Sequence, residues 1–446
     1  MKRFARIILA FNISLFALTA LAQNGINSPY SRYGFGMLSD RATGFNKGMG
    51  GVAQGFRHGQ QINVGNPASY SAIDSLTALF DLGLSVFNGN YKMGNLQQNA
   101  KNASFDYFAF QFRAFRHVGV TIGLLPYSNI KYSFASATSS VPGSETITST
   151  STFTGDGGLR QVFIGAGWQP FRFISVGVNA GYLYGDYTHT SNSTFSDASA
   201  FSMQRTYTAD ITTYKLDFGL QLMFPLTAKD QLTLGATYGL GHDLPNRAIR
   251  STQTINGTTT TTTADTIARA FQLPHTFDIG LTYAHTNKWR IGADFSLEKW
   301  SDARFPSQDT NGTGAYTSTT GQLYDRMKVA LGGEFTPNPY GRFLQRISYR
   351  AGGYYSQSYA RADLSGTVTD KPYEYGVSAG VSVPIISRHI WGANTPRLNI
   401  SFQWVHSNIP YLSHAGGHQN TLTENYLRLS VGLTFSERWF QKWKVQ

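Results

Sequence analysis

The sequence predicts an all-β fold, a closed and roughly 14-stranded antiparallel transmembrane β-barrel of the bacterial outer membrane with an N-terminal lumen hatch. Three observations predict it. Apolar residues alternate with polar ones at period two from Ala78 to the C-terminus. The links between those runs are alternately short and long. The face opposite the apolar one carries Gly, Ser, Thr and charges, as a wide hydrated bore requires.

The chain opens with Lys2, Arg3 and Arg6, an apolar run from Ile7 to Leu21, and Ala20-Leu21-Ala22 before Gln23. A charged head, an apolar stretch and an A-x-A site read as a secretory signal peptide over residues 1–22. No later segment approaches the ~20 consecutive apolar residues of a spanning helix. An exported chain without one is either soluble or a barrel. Cysteine is absent, so no disulfide or thiolate metal site exists. The formal net charge is +12, three of it in the leader. The remaining cations are scattered, which argues against a nucleic-acid patch and for lipid phosphate or lipopolysaccharide as the surface partner. No bound cofactor is implied.

Residues 23–75 precede the first strand, rich in Gly and Asn with little periodicity. So long a segment needs a job. Its "GFNKGMGGVAQG" favours compact turns against a wall over a charged tail, and the segment is expected inside the lumen as a hatch.

The barrel is expected over 76–436. Its strands carry Ala78/Phe80/Leu82/Leu84/Val86, Phe108/Phe110/Phe112, Val118/Val120/Ile122/Leu124, Val162/Ile164/Ala166/Trp168 and Ile174/Val176/Val178/Ala180/Tyr182. Then come Tyr214/Leu216/Phe218/Leu220/Leu222/Phe224, Leu232/Leu234/Ala236/Tyr238, Phe277/Ile279/Leu281/Tyr283, Trp289/Ile291/Ala293/Phe295/Leu297 and Met327/Val329/Leu331. Ile347/Tyr349/Ala351, Tyr375/Val377/Ala379/Val381/Val383, Leu398/Ile400/Phe402/Trp404 and Leu427/Leu429/Val431/Leu433/Phe435 complete the set. Links near 115–117, 169–172, 225–230, 285–288, 337–345 and 387–396 are short. Those at 88–103, 136–157, 188–206, 241–270, 301–320, 361–371 and 406–422 are long and polar, and read as extracellular loops.

A soluble β-sandwich is the competing fold. It would not place Arg290, Asp294, Glu298, Arg326, Lys328, Glu334, Arg350, Glu374, Gln403 and Arg428 on one face of successive strands. In a barrel these face water, whereas Arg or Lys on the lipid side costs ~2–4 kcal/mol near midplane. Trp168, Trp289 and Trp404 suit the interfacial girdles.

"KGMGGVAQGFRHGQQINVGNPASYSAIDSLTALFDLGLSV" and "QLPHTFDIGLTY" resemble the FadL/TodX outer-membrane transporters of hydrophobic compounds. Asn66, Pro67 and Ala68 match that family's Asn-Pro-Ala motif. The resemblance implies fourteen strands, a hatch held at Asn66–Ala68, and lateral release of apolar ligands beside a kinked third strand. The implied function is a passive channel for small hydrophobic or amphiphilic molecules, with Arg326, Arg350 and Glu374 lining the lumen. The loops "TSNSTFSDASAFS" and "STQTINGTTTTTTADTIARA" depart from the apolar capture groove of fatty-acid transporters. Some relatives serve protein secretion, so the alternative is an accessory or shuttle component of a secretion or surface-assembly system, with a protein partner at the extracellular loops.

Pro126 lies within the expected third strand, Val118–Phe134. It removes a ladder N–H and invites a bulge, either a lateral gate in the wall or a bulge above the membrane. Gly376–Gly380 fits G-x-S-x-G, but Ser378 falls mid-strand, and a nucleophile elbow needs a strand-to-helix turn. His414 and His418 have the spacing of a helical metal pair, but Gly416 and Gly417 oppose a helix, so no metal site is expected. Asp294 and Glu298 are expected to neutralise the wall near Arg290, and no enzymatic activity is expected. The tail 437–446, with Arg438, Trp439, Phe440, Lys442, Trp443 and Lys444, is expected at the inner interface or on a periplasmic partner.

Overall fold

A computed structural model describes residues 27–94, 96–139, 148–197, 200–256, 259–308, 315–361, 370–385, 396–412 and 419–438. The leader, His414, His418 and the tail aromatics lie outside the described residues.

Fourteen antiparallel strands close into a barrel. Strands 1 to 3 are Thr77–Met93, Leu96–Phe115 and Val118–Pro126, the last continued as Ser128–Ser139. Strands 4 to 8 are Thr148–Phe171, Ile174–Phe195, Ser202–Pro225, Asp230–Gly239 and Thr276–His285. Strands 9 to 14 are Trp289–Glu298, Arg326–Phe335, Ser348–Gln357, Tyr373–Pro384, Arg397–Leu412 and Gln419–Arg438. Strand 14 pairs back onto strand 1 from Thr77↔Arg438 to Met93↔Leu422. Closure leaves no sheet edge to expose in hydrocarbon.

The apolar stripes face outward, as the alternation requires. On strand 6 Leu220 is 38% exposed while Gln221 beside it is fully enclosed. Trp289 stacks on Phe335 toward the periplasmic turns, with ring centroids 4.1 Å apart. Tyr182 and Tyr184, 5.7 Å apart, mark the outer rim. This apolar belt, with its aromatic borders, makes the chain an outer-membrane, multi-pass barrel.

Two expectations need correction. Among the described residues, several polar stretches read as long loops are largely strand: strands 1 and 2 run to Met93 and from Leu96, and strands 4 to 6 climb far above the belt. Ala248–Asn256 and Thr259–Ile267 form a further hairpin beside strand 6. Threonine-rich segments wet on both faces have no hydrophobic period to read, yet β-branching suits them to strands. At the other end, strand 14 runs through Arg438, two residues into the expected tail, because Ala78 and Thr77 pair with Glu437 and Arg438.

The core lies inside the barrel. Residues 27–75 pack against the inner wall through Ile62, Val64, Tyr70 and Ile73, which meet Leu79, Tyr107, Leu125 and Phe163. Above them Phe35 joins Ile130, Tyr132, Leu159, Leu183, Tyr187, Phe271 and Trp300 in a second cluster.

Candidate functional site: the lumenal segment and a seam in the wall

Residues 27–75 have almost no regular structure, so the wall must satisfy their backbone groups. Asp294 accepts from the N–H groups of Ala53 and Gln54, at 2.6 and 2.9 Å. Tyr107 and Ser378 hydroxyls accept from Gly44 N–H at 2.6 Å and Gly50 N–H at 2.9 Å. Gln111 donates to the Tyr70 carbonyl at 3.0 Å, and Gln221 to that of Gln54 at 2.9 Å. Ion pairs add to this. Asp40 meets Lys328 at 2.6 Å, Arg41 bridges Asp217 and Asp278 at 3.3 Å each, and Lys47 pairs with Asp106. Near its start Ser28 donates to Glu424 at 2.8 Å, and the Tyr30 hydroxyl to the Leu422 carbonyl at 2.6 Å.

The Asn-Pro-Ala residues sit at the centre of this network. Asn66 caps the short 3-10 helix Pro67–Ala72, its Oδ1 accepting from Ala68 N–H at 3.0 Å. Its Nδ2 donates to the Gln54 carbonyl at 2.9 Å and the Leu220 carbonyl at 3.2 Å. Pro67 lies so close to the wall that a Cβ at Gly177 would overlap its carbonyl carbon. The wall glycine there serves close approach.

Arg326, Arg350 and Glu374 all face the lumen and are engaged. Arg326 donates to Glu298 at 2.7 Å, Arg350 to Glu334 and Asn399 at 2.7 Å each. Glu374 accepts from Tyr354 at 2.5 Å and Ser407 at 3.1 Å. Arg290, expected beside Asp294 and Glu298, instead pairs across the strand with Glu334 at 2.6 Å. Asp294 holds the lumenal backbone through Oδ2 and forms no ion pair among the described residues, so it does not neutralise the wall. Ser378 lies in a strand, as its alternation implied, and its hydroxyl holds the lumenal segment.

Pro126 ends the lower part of strand 3. Below it, strand 3 pairs with strand 2 as far as Phe108↔Leu124. Above it, strand 3 pairs with Met37 and Leu38 of the lumenal segment, at Met37↔Asn129 and Leu38↔Ser128. The register with strand 4 also slips by one residue, from Pro126↔Arg160 to Ile130↔Gly157. Tyr127 is the extra residue, and its N–H bonds the Leu159 carbonyl at 2.8 Å. Strand 2 has a matching irregularity, skipping Asp106 between Tyr107 and Phe105. Two bulges therefore face each other across a seam where strands 2 and 3 part. Pro126 stands level with Arg160 and Tyr184. The seam is thus at the outer rim of the apolar belt, where headgroup water can meet freed backbone groups.

A cavity of about 110 Å³ runs from the lumen to this seam, lined by Met37, Asp40, Lys47, Ser104, Asp106 and Pro126 among others. A 150 Å³ cavity is roughly what benzene needs. A ring cannot pass while the lumenal segment stays as it is. Arg428 lines this space too, over the Tyr426 ring at 5.4 Å. Sequence reading missed Lys47, Asp106 and Tyr127. Asp106 falls on the even-numbered parity of the apolar Phe108, Phe110 and Phe112, so a carboxylate there was a usable signal that the alternation breaks; Lys47 and Tyr127 left none.

Compared with known families, residues 2–446 match the BamG family model. The chain belongs to the BamG family. No curated protein matches it in sequence. In fold it is similar to the Ralstonia pickettii toluene transporter TbuX, at 15% identity and TM-score 0.56, covering 89% of this chain and 98% of that one. The Pseudomonas putida toluene transporter TodX is 14% identical with TM-score 0.56, covering 90% and 100%. A Pseudomonas aeruginosa FadL homologue is 11% identical with TM-score 0.57, covering 90% and 99%. At these identities the likeness is one of fold, so this BamG-family chain has a FadL/TodX-type barrel.

Proposed function

We propose that the chain is an outer-membrane channel for small hydrophobic or amphiphilic molecules, passive, with residues 27–75 as a hatch and the strand 2–strand 3 seam as a lateral exit. The solved barrels of like fold include toluene transporters, which supports the solute class. The observation that carries the exit is strand 3 leaving strand 2 at Leu124 and joining Met37–Leu38 instead. Hatch and wall are thereby one ladder, so a hatch that moves also opens the seam. Asn66–Ala68 would be the fixed end of the hatch and Pro126 the hinge side of the exit. Asp40, Arg326 and Lys328 make the path ionic, favouring amphiphiles over pure hydrocarbons.

A disulfide between Met37→Cys and Asn129→Cys tests this in a chain that has no other cysteine. These positions are direct partners across an antiparallel ladder, a spacing a disulfide tolerates. Oxidised cells should take up toluene no faster than cells lacking the chain, and reduction should restore the rate. Undiminished uptake in fully crosslinked protein removes the exit.

One observation favours a second reading, an accessory component of a surface-assembly system: the family matched over the whole chain is BamG, and the lumen is filled by ion-paired hatch. Deletion without effect on uptake, with stable co-purification of large partners, would support it.

A further inference from the structure

Above the hatch, clear of the seam, lies a second cavity of about 280 Å³. Its walls are rings. Tyr132 stacks on His189 at 5.7 Å, Tyr187 lies 5.0 Å from His189, and Tyr207 lies 5.6 Å from Tyr316. Tyr316 comes from the extracellular hairpin Phe305–Gln308/Tyr316–Thr319, and Arg32 from the hatch below. Tyr132, Phe153, Tyr187, His189 and Tyr207 come from strands 3 to 6, above the apolar belt, with Tyr33 from the lumenal segment and Phe305 beside Tyr316.

Three features define what would fit. The volume of about 280 Å³ exceeds the roughly 150 Å³ that holds benzene yet falls just short of the ~300–1,000 Å³ range of ligand pockets. One ring with a short substituent fits, and a long acyl chain does not. The aromatic lining suits a ligand that is itself a ring, through edge and offset contacts with the rings' free faces. Arg32 supplies the polar end. Its guanidinium lies 4.0 Å over the Phe153 ring, and among the described residues it has neither an acidic partner nor a hydrogen bond. A half-buried, always-charged group with no counter-ion is costly unless an anion completes it. Two described acids of this region have partners of their own: Asp156 pairs with Lys131 and Asp265 with Arg250. His189 is bonded through Nδ1 to the Tyr132 hydroxyl at 2.8 Å, which leaves Nε2 for a ligand. Burial and the Arg32 charge hold this imidazole neutral, its pKa lowered to about 4.

We infer that this cavity is a binding site for a small aromatic carboxylate, its ring against the aromatic lining and its carboxylate on Arg32. The site narrows the solute class of the proposed channel and rests on that reading only for onward passage. Binding itself does not depend on transport.

The full chain in detergent micelles is titrated by calorimetry with benzoate, benzamide and octanoate. Benzoate should saturate one site, and octanoate should not compete. Benzamide, which keeps the ring and loses the charge, should bind about tenfold more weakly, the worth of one charge-assisted hydrogen bond. Arg32→Gln should erase the difference between benzoate and benzamide. Tyr316→Ala should weaken both. Equal binding of benzoate and benzamide by the unaltered chain, competition by octanoate, or no saturable binding overturns the site, whether or not the variants fold. Repeating the titration on the oxidised Met37→Cys/Asn129→Cys protein separates the two claims. Binding kept with benzoate uptake unaffected by the crosslink leaves the site standing and the exit fallen. Binding lost in every form removes the site while toluene uptake still tests the channel.

Discussion

The two halves of strand 3 have similar sequences and opposite surroundings. In Val118–Pro126 the apolar residues fall at even numbers and face lipid: Ile122 is 41% exposed, and Thr121 between its neighbours is enclosed. In Ser128–Ser139 the apolar residues are still at even numbers, yet Ile130 and Tyr132 are buried inside and Ser133 faces out. The one extra residue, Tyr127, turns every later side chain to the other face. The lower half is wall between strands 2 and 4; the upper half is clasped by the hatch and carries rings toward the extracellular cavity. A bulge of one residue thus turns a lipid-facing stripe into an internal one without changing the period.

This contrast can be broken first at the lipid face. Ile122→Arg should destabilise the barrel by about 2–4 kcal/mol, while Ser133→Arg, on the outward side of the upper half, should cost nothing measurable. Urea unfolding from lipid vesicles checks both, and equal penalties would place the upper half in the membrane.

Acid should act on the upper half through His189. His189 lies beyond the belt, which on strand 5 ends near Tyr184, and its pKa is lowered to about 4 by burial and then by Arg32. Because the folded state disfavours the proton, stability is complete above the ordinary histidine value and falls as the pH drops from ~6.5 toward 4. The loss is of order 3 kcal/mol at most. Hydrogen exchange around Tyr132 and Tyr187 should quicken across that window, and His189→Phe should abolish the pH dependence.

The smallest effect is expected at Pro126 itself. Pro126→Val restores one donor to the ladder, worth about 1 kcal/mol net, so toluene uptake should slow by no more than ~5-fold. The bulge at Tyr127 would remain. A complete block in this variant would mean that the proline, not the extra residue, makes the seam.

Much of the fold was legible because a barrel in lipid has one way to satisfy its backbone. Each run such as Tyr214–Phe224 must show one face to hydrocarbon and the other to water, and the period records that. The strand extensions over 188–195, 202–206, 248–256 and 259–267 were not legible, since both of their faces are wet and composition alone does not separate a threonine strand from a loop. Asn66–Ala68 stood out through the resemblance to the Asn-Pro-Ala motif of the FadL/TodX transporters; that Asn66 caps a 3-10 helix came only from the structure. Asp294 as an anchor for the N–H groups of Ala53 and Gln54 did not, because its partners are far away along the chain.

The amino-acid sequence by itself determined the barrel, its strand count, its orientation by short and long connections, and which face of each strand meets lipid. These are properties of single strands against a uniform solvent. The tertiary structure alone decided that strand 3 leaves strand 2, that Met37 and Leu38 take its place, and that Arg32 lies over a phenylalanine ring with no acid among the described residues beside it. Those outcomes depend on contacts between residues up to about a hundred positions apart, and on a single unpaired residue whose insertion leaves the alternation unchanged.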